Sequence, residues 1–298
     1  MFKMTVVHQR VWTLVFSFSL LISCSKSDDD NNEDPDSPAK ETSEFIAQPR
    51  TTNIFGFPLS NPACRIKKMT DSSTSLVTDF IYDTKGRLMK QATTEGTQKD
   101  TTYYYYDQSS RLTKIQEDGE EWTINYETGG NRATQIVKKY SPTNITTINV
   151  TYPSNTKVVL SVAEPASNST FKTTIEFDSQ YNPVRDTGVL VNNANNKVTL
   201  FTSMSTSFDA TVLNPFYMYG SDYLYISGIG ELYQGLTFIS GTKLGTSLRL
   251  KDFTYTPTGI YDITCVVLEK NAQNYPTKVR TAQTSGEIER TTIEYTTR

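Results

Sequence analysis

The sequence predicts an all-β fold, a large antiparallel meander of repeated β-hairpins in one strongly curved or barrel-like sheet. Three observations predict it. Apolar and polar residues alternate with period two from Leu76 onward, as in Thr78-Phe80-Tyr82 against Asp79 and Asp83, and Trp122-Ile124-Tyr126 against Thr123 and Asn125. Nearly every such run ends in an aromatic followed by a turn, and these ends recur about every 24 residues at Tyr82, Tyr106, Tyr126, Tyr152 and Phe177. A lone hairpin leaves its apolar face in water, so successive units must pair edge to edge.

The first element is a leader. Lys3 and Arg10 precede an apolar run from Val11 to Ile22, about a dozen residues and too short to span a bilayer as a helix. Leu21-Ile22-Ser23-Cys24 resembles the lipobox of bacterial lipoproteins. That resemblance implies a signal peptide at 1–23, removed on export, and a lipidated Cys24 as the new N-terminus. Its acyl chains, such as palmitate, would contribute about 0.8 kcal/mol per buried methylene toward membrane attachment. Residues 24–50 then read as the lipidated cysteine and a disordered acidic tether, because Ser25 to Pro38 holds Asp28-Asp29-Asp30 and no apolar side chain. An acidic run just after the cysteine resembles the signal that sends Bacteroidetes-type lipoproteins to the outer face of the outer membrane. The expected location is therefore the outer membrane, lipid-anchored and exposed at the cell surface.

Composition excludes several functions. Without residues 1–23 the chain keeps 27 basic and 32 acidic side chains, a net charge of −5, and loses its one histidine, His8. No basic patch fits a phosphate backbone, so no nucleic-acid partner is expected. Histidine-based triads and histidine-ligated zinc are equally excluded. No metal, cofactor or catalytic residue is expected. Besides Cys24 there are Cys64 and Cys265; a disulfide between them would suit an oxidising compartment and bring the two ends of the sheet together, and two buried thiols are the alternative.

Residues 51–298 read as a single all-β domain. In the hairpin ends, such as Tyr82-Asp83-Thr84-Lys85-Gly86-Arg87-Leu88, Asp accepts backbone N–H bonds, Gly takes positive φ, and Arg or Lys keeps the outgoing strand soluble. Glu117-Asp118-Gly119-Glu120-Glu121 reads as a hairpin tip, since it lacks the alternating oxygens of an EF-hand. Outward positions carry Thr, Asn, Lys and Glu, which argues against a membrane-embedded barrel. Tyr82 to Lys90 resembles the YD repeat of Rhs-type surface and toxin proteins. Most of the chain is similar to a family of Bacteroidetes lipoproteins with YD-like hairpins, an Asn-Pro-Phe element (here Asn214-Pro215-Phe216) and a final Tyr-Pro-Thr-Lys hairpin (Tyr275 to Lys278). That family is a domain of unknown function with a porin-like, broadly curved sheet; the likeness implies fold and no activity. Asp100-Thr101-Thr102 resembles an O-glycosylation acceptor of such bacteria.

The rhythm breaks at about 209–250, an irregular aromatic insertion. Phe216, Tyr217, Tyr219, Tyr223 and Tyr225 put five aromatics into ten residues. Exposed, such rings stack on sugars or partner proteins; packed inward, they form a lid over the sheet. The sequence thus leads to a non-catalytic surface binding module for a glycan or an envelope protein. The alternatives are a structural or accessory scaffold subunit of an outer-membrane complex, and a carboxylate-based glycoside hydrolase.

Overall fold

The computed structural model describes residues 40–47, 49–59, 64–164, 167–215, 243–253, 257–284, 286 and 288–297. It is all-β among them. The strands are β1 (Glu41–Thr42), β2 (Cys64–Asp71), β3 (Val77–Asp83), β4 (Leu88–Glu95), β5 (Gln98–Tyr106), β6 (Leu112–Glu117), β7 (Glu120–Tyr126), β8 (Ala133–Ser141) and β9 (Asn144–Ser154). They continue as β10 (Lys157–Glu164), β11 (Ser169–Phe177), β12 (Pro183–Asn192), β13 (Val198–Leu213), β14 (Lys243–Asp252), β15 (Gly259–Lys270), β16 (Pro276–Gln283) and β17 (Ile288–Thr297). From β2 onward each strand pairs antiparallel with the next, and β17 pairs with β2 through Ile293↔Met69 and Tyr295↔Ile66. The expected curved sheet is therefore a closed ring of sixteen strands, with β1 added beside β3.

One end of the barrel carries the aromatic turns, and one turn unit is used repeatedly there. Lys85 and Arg87 N–H groups donate to Asp83 Oδ1 at 3.0 and 2.8 Å, Arg87 Nε donates to Asp83 Oδ2 at 2.7 Å, and Gly86 takes φ +80°. Asp107 holds Arg111 in the same way, and Asp178 holds Asn182. Asn53 and Asn271 build the same loop with an amide oxygen, receiving N–H bonds from Phe55 and Phe57, and from Gln273 and Tyr275.

The arginines do more than keep a strand soluble. Arg87 lies over the Tyr106 ring at 4.8 Å, Arg111 over Tyr126 at 4.8 Å and Arg132 over Tyr152 at 5.0 Å. Each tyrosine hydroxyl then donates to the carbonyl of the residue after that arginine, namely Leu88, Leu112 and Ala133, at 2.8, 2.6 and 2.8 Å. Aspartate orients Arg87 and Arg111, each of the three arginines lies on the next tyrosine, and that tyrosine ties the strands together, so consecutive hairpins are locked in register.

Residues 50–57 close this end from inside. The Ala133 N–H donates to the Ile54 carbonyl, and Phe57 stacks on Tyr181 with ring centroids 4.7 Å apart. Ile54 and Phe55 are fully buried in a core shared with Ile66, Leu88, Ile115, Trp122, Ile136 and Leu160 from the barrel's inner wall. Folded chain therefore begins earlier than the boundary at residue 50 that composition implies. β1 is hydrogen-bonded to β3, and Arg50 is buried.

The disulfide expectation is corrected. Cys64 and Cys265 are both buried free thiols. β16 and β17 lie between their strands, a span of about 14 Å at the usual strand spacing and too far for a bond.

Candidate functional site

The inner wall changes character along the barrel. At the turn end its side chains are apolar and buried against residues 54–57. Toward the opposite end inward Gln91, Glu95, Asp100 and Glu117 are polar and partly exposed beside buried Trp122, Phe171, Met204 and Leu250, so the described residues form a cup filled at one end by its own chain and lined partly by polar groups at the other.

Register defines which residues line it. Thr93, Thr102 and Trp122 are buried inward positions, and this places Glu95, Asp100, Glu117 and Glu120 on the same face of β4 to β7. The Thr102 hydroxyl donates to Glu117 Oε1 at 2.9 Å, and the Tyr104 hydroxyl to Gln91 Oε1 at 2.6 Å. Lys138 sits opposite Trp122 and is buried. Its ammonium lies 3.1 Å from Glu120 Oε2, 4.6 Å from the Trp122 ring and 4.2 Å from the Tyr140 ring. Burial, then repulsion from Glu95, raises the Asp100 carboxyl above the ordinary range; burial followed by Asp100 and Glu120 does the same to Asp118.

On β12 to β17 the wall continues with Asp186, Asp252, Thr281, Gln283 and Glu289. Asp186 stands between Ile175 and Met204, and burial alone pushes its carboxyl up to about 7. The Cys265 thiol, opposite Thr281, is raised to about 12 by burial.

The outer wall is different again. Lys90, Lys114, Lys172, Arg249, Lys278, Arg280 and Arg290 occupy outward positions with many threonines, and Arg249 pairs with Asp262 across β14 and β15 at 2.7 Å. Exposed apolar side chains stand among them, including Ile145, Leu200, Ile260, Val266 and Ile288, so charge and apolar surface are interspersed on the described outer wall.

The sequence-read sites fare unevenly. Phe216, Tyr217, Tyr219, Tyr223 and Tyr225 lie outside the described residues, as do the leader, Cys24 and most of the tether. The flanks of the aromatic segment are anchored at the closed end, where the Leu213 N–H donates to Asn274 O and the Lys243 N–H to Asn182 Oδ1. The Glu117 to Glu121 cluster is a tight turn at Asp118-Gly119, with Glu117 and Glu120 inward. Thr101 of the glycosylation-like motif is outward and half-buried in β5. The inner-wall set was missed by sequence reading. The signal was there: acidic residues sit in phase with buried aromatics along the same strands.

Fold and site together define a closed antiparallel barrel with an internal polar cup. No family model and no curated protein matches the chain. Among solved structures it is similar to a porin-like protein from Bacteroides vulgatus ATCC 8482, with 14% identity, TM-score 0.47, 78% of this chain and 99% of that one covered. It is also similar to a porin-like protein from Bacteroides uniformis ATCC 8492, with 15% identity, TM-score 0.43, 84% of this chain and 100% of that one covered.

Proposed function

We propose that this protein is a lipid-anchored, non-catalytic binding module of a bacterial outer membrane, and that its inner cup receives a glycan. The observation that carries this reading is the one-sided lining of the barrel among the described residues: apolar and filled where residues 54–57 sit, partly exposed and richer in polar groups toward the other end. Amide, hydroxyl and carboxyl groups beside aromatic rings, as in Gln91, Tyr104, Tyr140 and Asp100, suit the hydroxyls and apolar faces of sugars. The charged outer wall favours a barrel standing clear of the bilayer, held by lipid on Cys24. In this reading the chain from the anchor enters the barrel through β1, which pairs with β3 at the closed end.

The test is a glycan array with purified mature protein beside a Gln91→Ala/Tyr140→Ala variant. Binding by the native protein that the variant loses would support the cup as the site. Binding unchanged in a folded variant would move the site elsewhere, with the Tyr217 to Tyr225 segment next in line.

A scaffold role is favoured by a different feature. Val198, Leu200, Phe253, Ile260 and Ile288 are exposed near the open end on β13 to β17. Crosslinking to an envelope protein through that patch, with a blank array, would select this reading.

A further inference from the structure

The chain as a whole is close to charge balance, with 29 basic and 32 acidic residues, yet its charges are sorted by face. Basic residues dominate the outer wall, whereas Lys138 is the one basic side chain turned inward in the open half among the described residues. Such sorting gives the cup a negative potential that low-dielectric walls focus.

Lys138 also shows what this wall accepts. Its ammonium is a tethered primary amine, seated between the Glu120 carboxylate and the Trp122 and Tyr140 rings. Carboxylate plus aromatic faces is a recognition pattern for organic cations. A second observation lies elsewhere on the same wall. Thr281 is 1% exposed and its hydroxyl has no hydrogen-bond partner among the described residues, although it points inward beside the buried Glu289. A buried hydroxyl left in that state costs about 1–3 kcal/mol, a cost that an ammonium donor would remove. Carboxylates spaced around rings suit an extended amine. No group of three acidic or sulfur side chains among the described residues converges as a metal would need.

We propose that the open half of the barrel takes a ligand carrying primary ammonium groups, a polyamine or an amine-bearing sugar, held by Glu95, Asp100 and Glu117 on one side and by Glu289 with the Thr281 hydroxyl on the other. The proposal rests on the cup being the binding site and adds the charge of its ligand. A bound cation would return the raised Asp100 and Asp118 toward the ordinary carboxylate range.

Trp122 is the one tryptophan left once residues 1–23 are removed, so its fluorescence reports on this wall. Mature protein from Cys24 onward, in detergent, is titrated at pH 6 with spermidine, glucosamine tetramer and N-acetylglucosamine tetramer, at low and high salt. The expected result is binding of the two amines, weakened several-fold by salt, with the acetylated sugar at least tenfold weaker. Glu95→Gln/Asp100→Asn, which preserves shape, should weaken amine binding about tenfold, while Asp79→Asn/Glu294→Gln on the outer wall leaves it unchanged. Spermidine binding alone identifies a polyamine as the source of the ammonium, and tighter glucosamine tetramer binding identifies the sugar. Equal binding of both sugars would overturn the charge assignment and leave the glycan reading standing. Absence of amine binding would overturn it too, and the glycan reading would then stand or fall on the array.

Discussion

At the scale of single residues, Gly86 and Glu117's neighbour Gly119 separate two effects that are usually confounded. Both take positive φ, +80° and +81°. An added Cβ at Gly119 meets nothing, whereas at Gly86 it runs into the backbone of Ile46 and Ala47. Gly119→Ala should therefore cost about 1 kcal/mol, the left-handed penalty alone, and Gly86→Ala at least twice that, read as urea midpoints. Equal costs would mean that Ile46 and Ala47 are not seated on this turn. Asp186 makes a pH prediction. Its folded value of about 7 lies above the ordinary 3.8, so the native state binds the extra proton between those values and stability falls as pH rises through that window. For a partly exposed carboxyl we expect a loss of order 1–2 kcal/mol between pH 4.5 and 8. Asp186→Asn should flatten that slope; an unchanged slope would assign it to Asp100 and Asp118, which shift in the same direction.

Among the elements, residues 41–59 were the least legible in the sequence and are the most consequential. Composition assigns residues up to 50 to the tether and 51–59 to the start of the β domain, and Ile54, Phe55 and Phe57 show neither period two nor period 3.6 to give them a place in it. What fixes them is tertiary: Asn53 turns the chain and the barrel's inner wall supplies the apolar partners. Hairpins were legible for the opposite reason. Alternation and Asp-x-x-Gly-Arg chemistry are local, so β3 to β8 and their turns follow from neighbours in sequence, and only the arginine–tyrosine ladder needed the structure. Facing was recoverable in principle, yet the acids drew attention as turn residues. Asp100 and Glu117 instead carry the inner wall. Phe55→Ala should then cost about 3–5 kcal/mol, as a core residue does, and should not behave as a linker change below 0.5 kcal/mol. Thermal unfolding of the variant decides between a core residue and a loosely held segment.

At the scale of the whole molecule, closure and charge sorting bear on where the barrel sits. Pairing of β17 with β2 leaves no open edge in the ring, so solubility depends on the outer wall alone. That wall sets Lys90 beside Tyr103 and Lys114 beside Tyr105, and couples Lys157 to Glu176 and Lys278 to Glu269. A lipid-facing strand would pay about 2–4 kcal/mol for each Lys or Arg at the bilayer midplane. Spread over this many strands, that sum exceeds the entire stability of an ordinary domain. Residues 24–298 carrying Cys24→Ala, which removes the proposed acylation site, should accordingly be a monomer in detergent-free buffer, with sedimentation matching a single chain. A requirement for detergent would show that lipid covers the wall despite its charges, and the cup would then have to be reread as one mouth of a transmembrane passage.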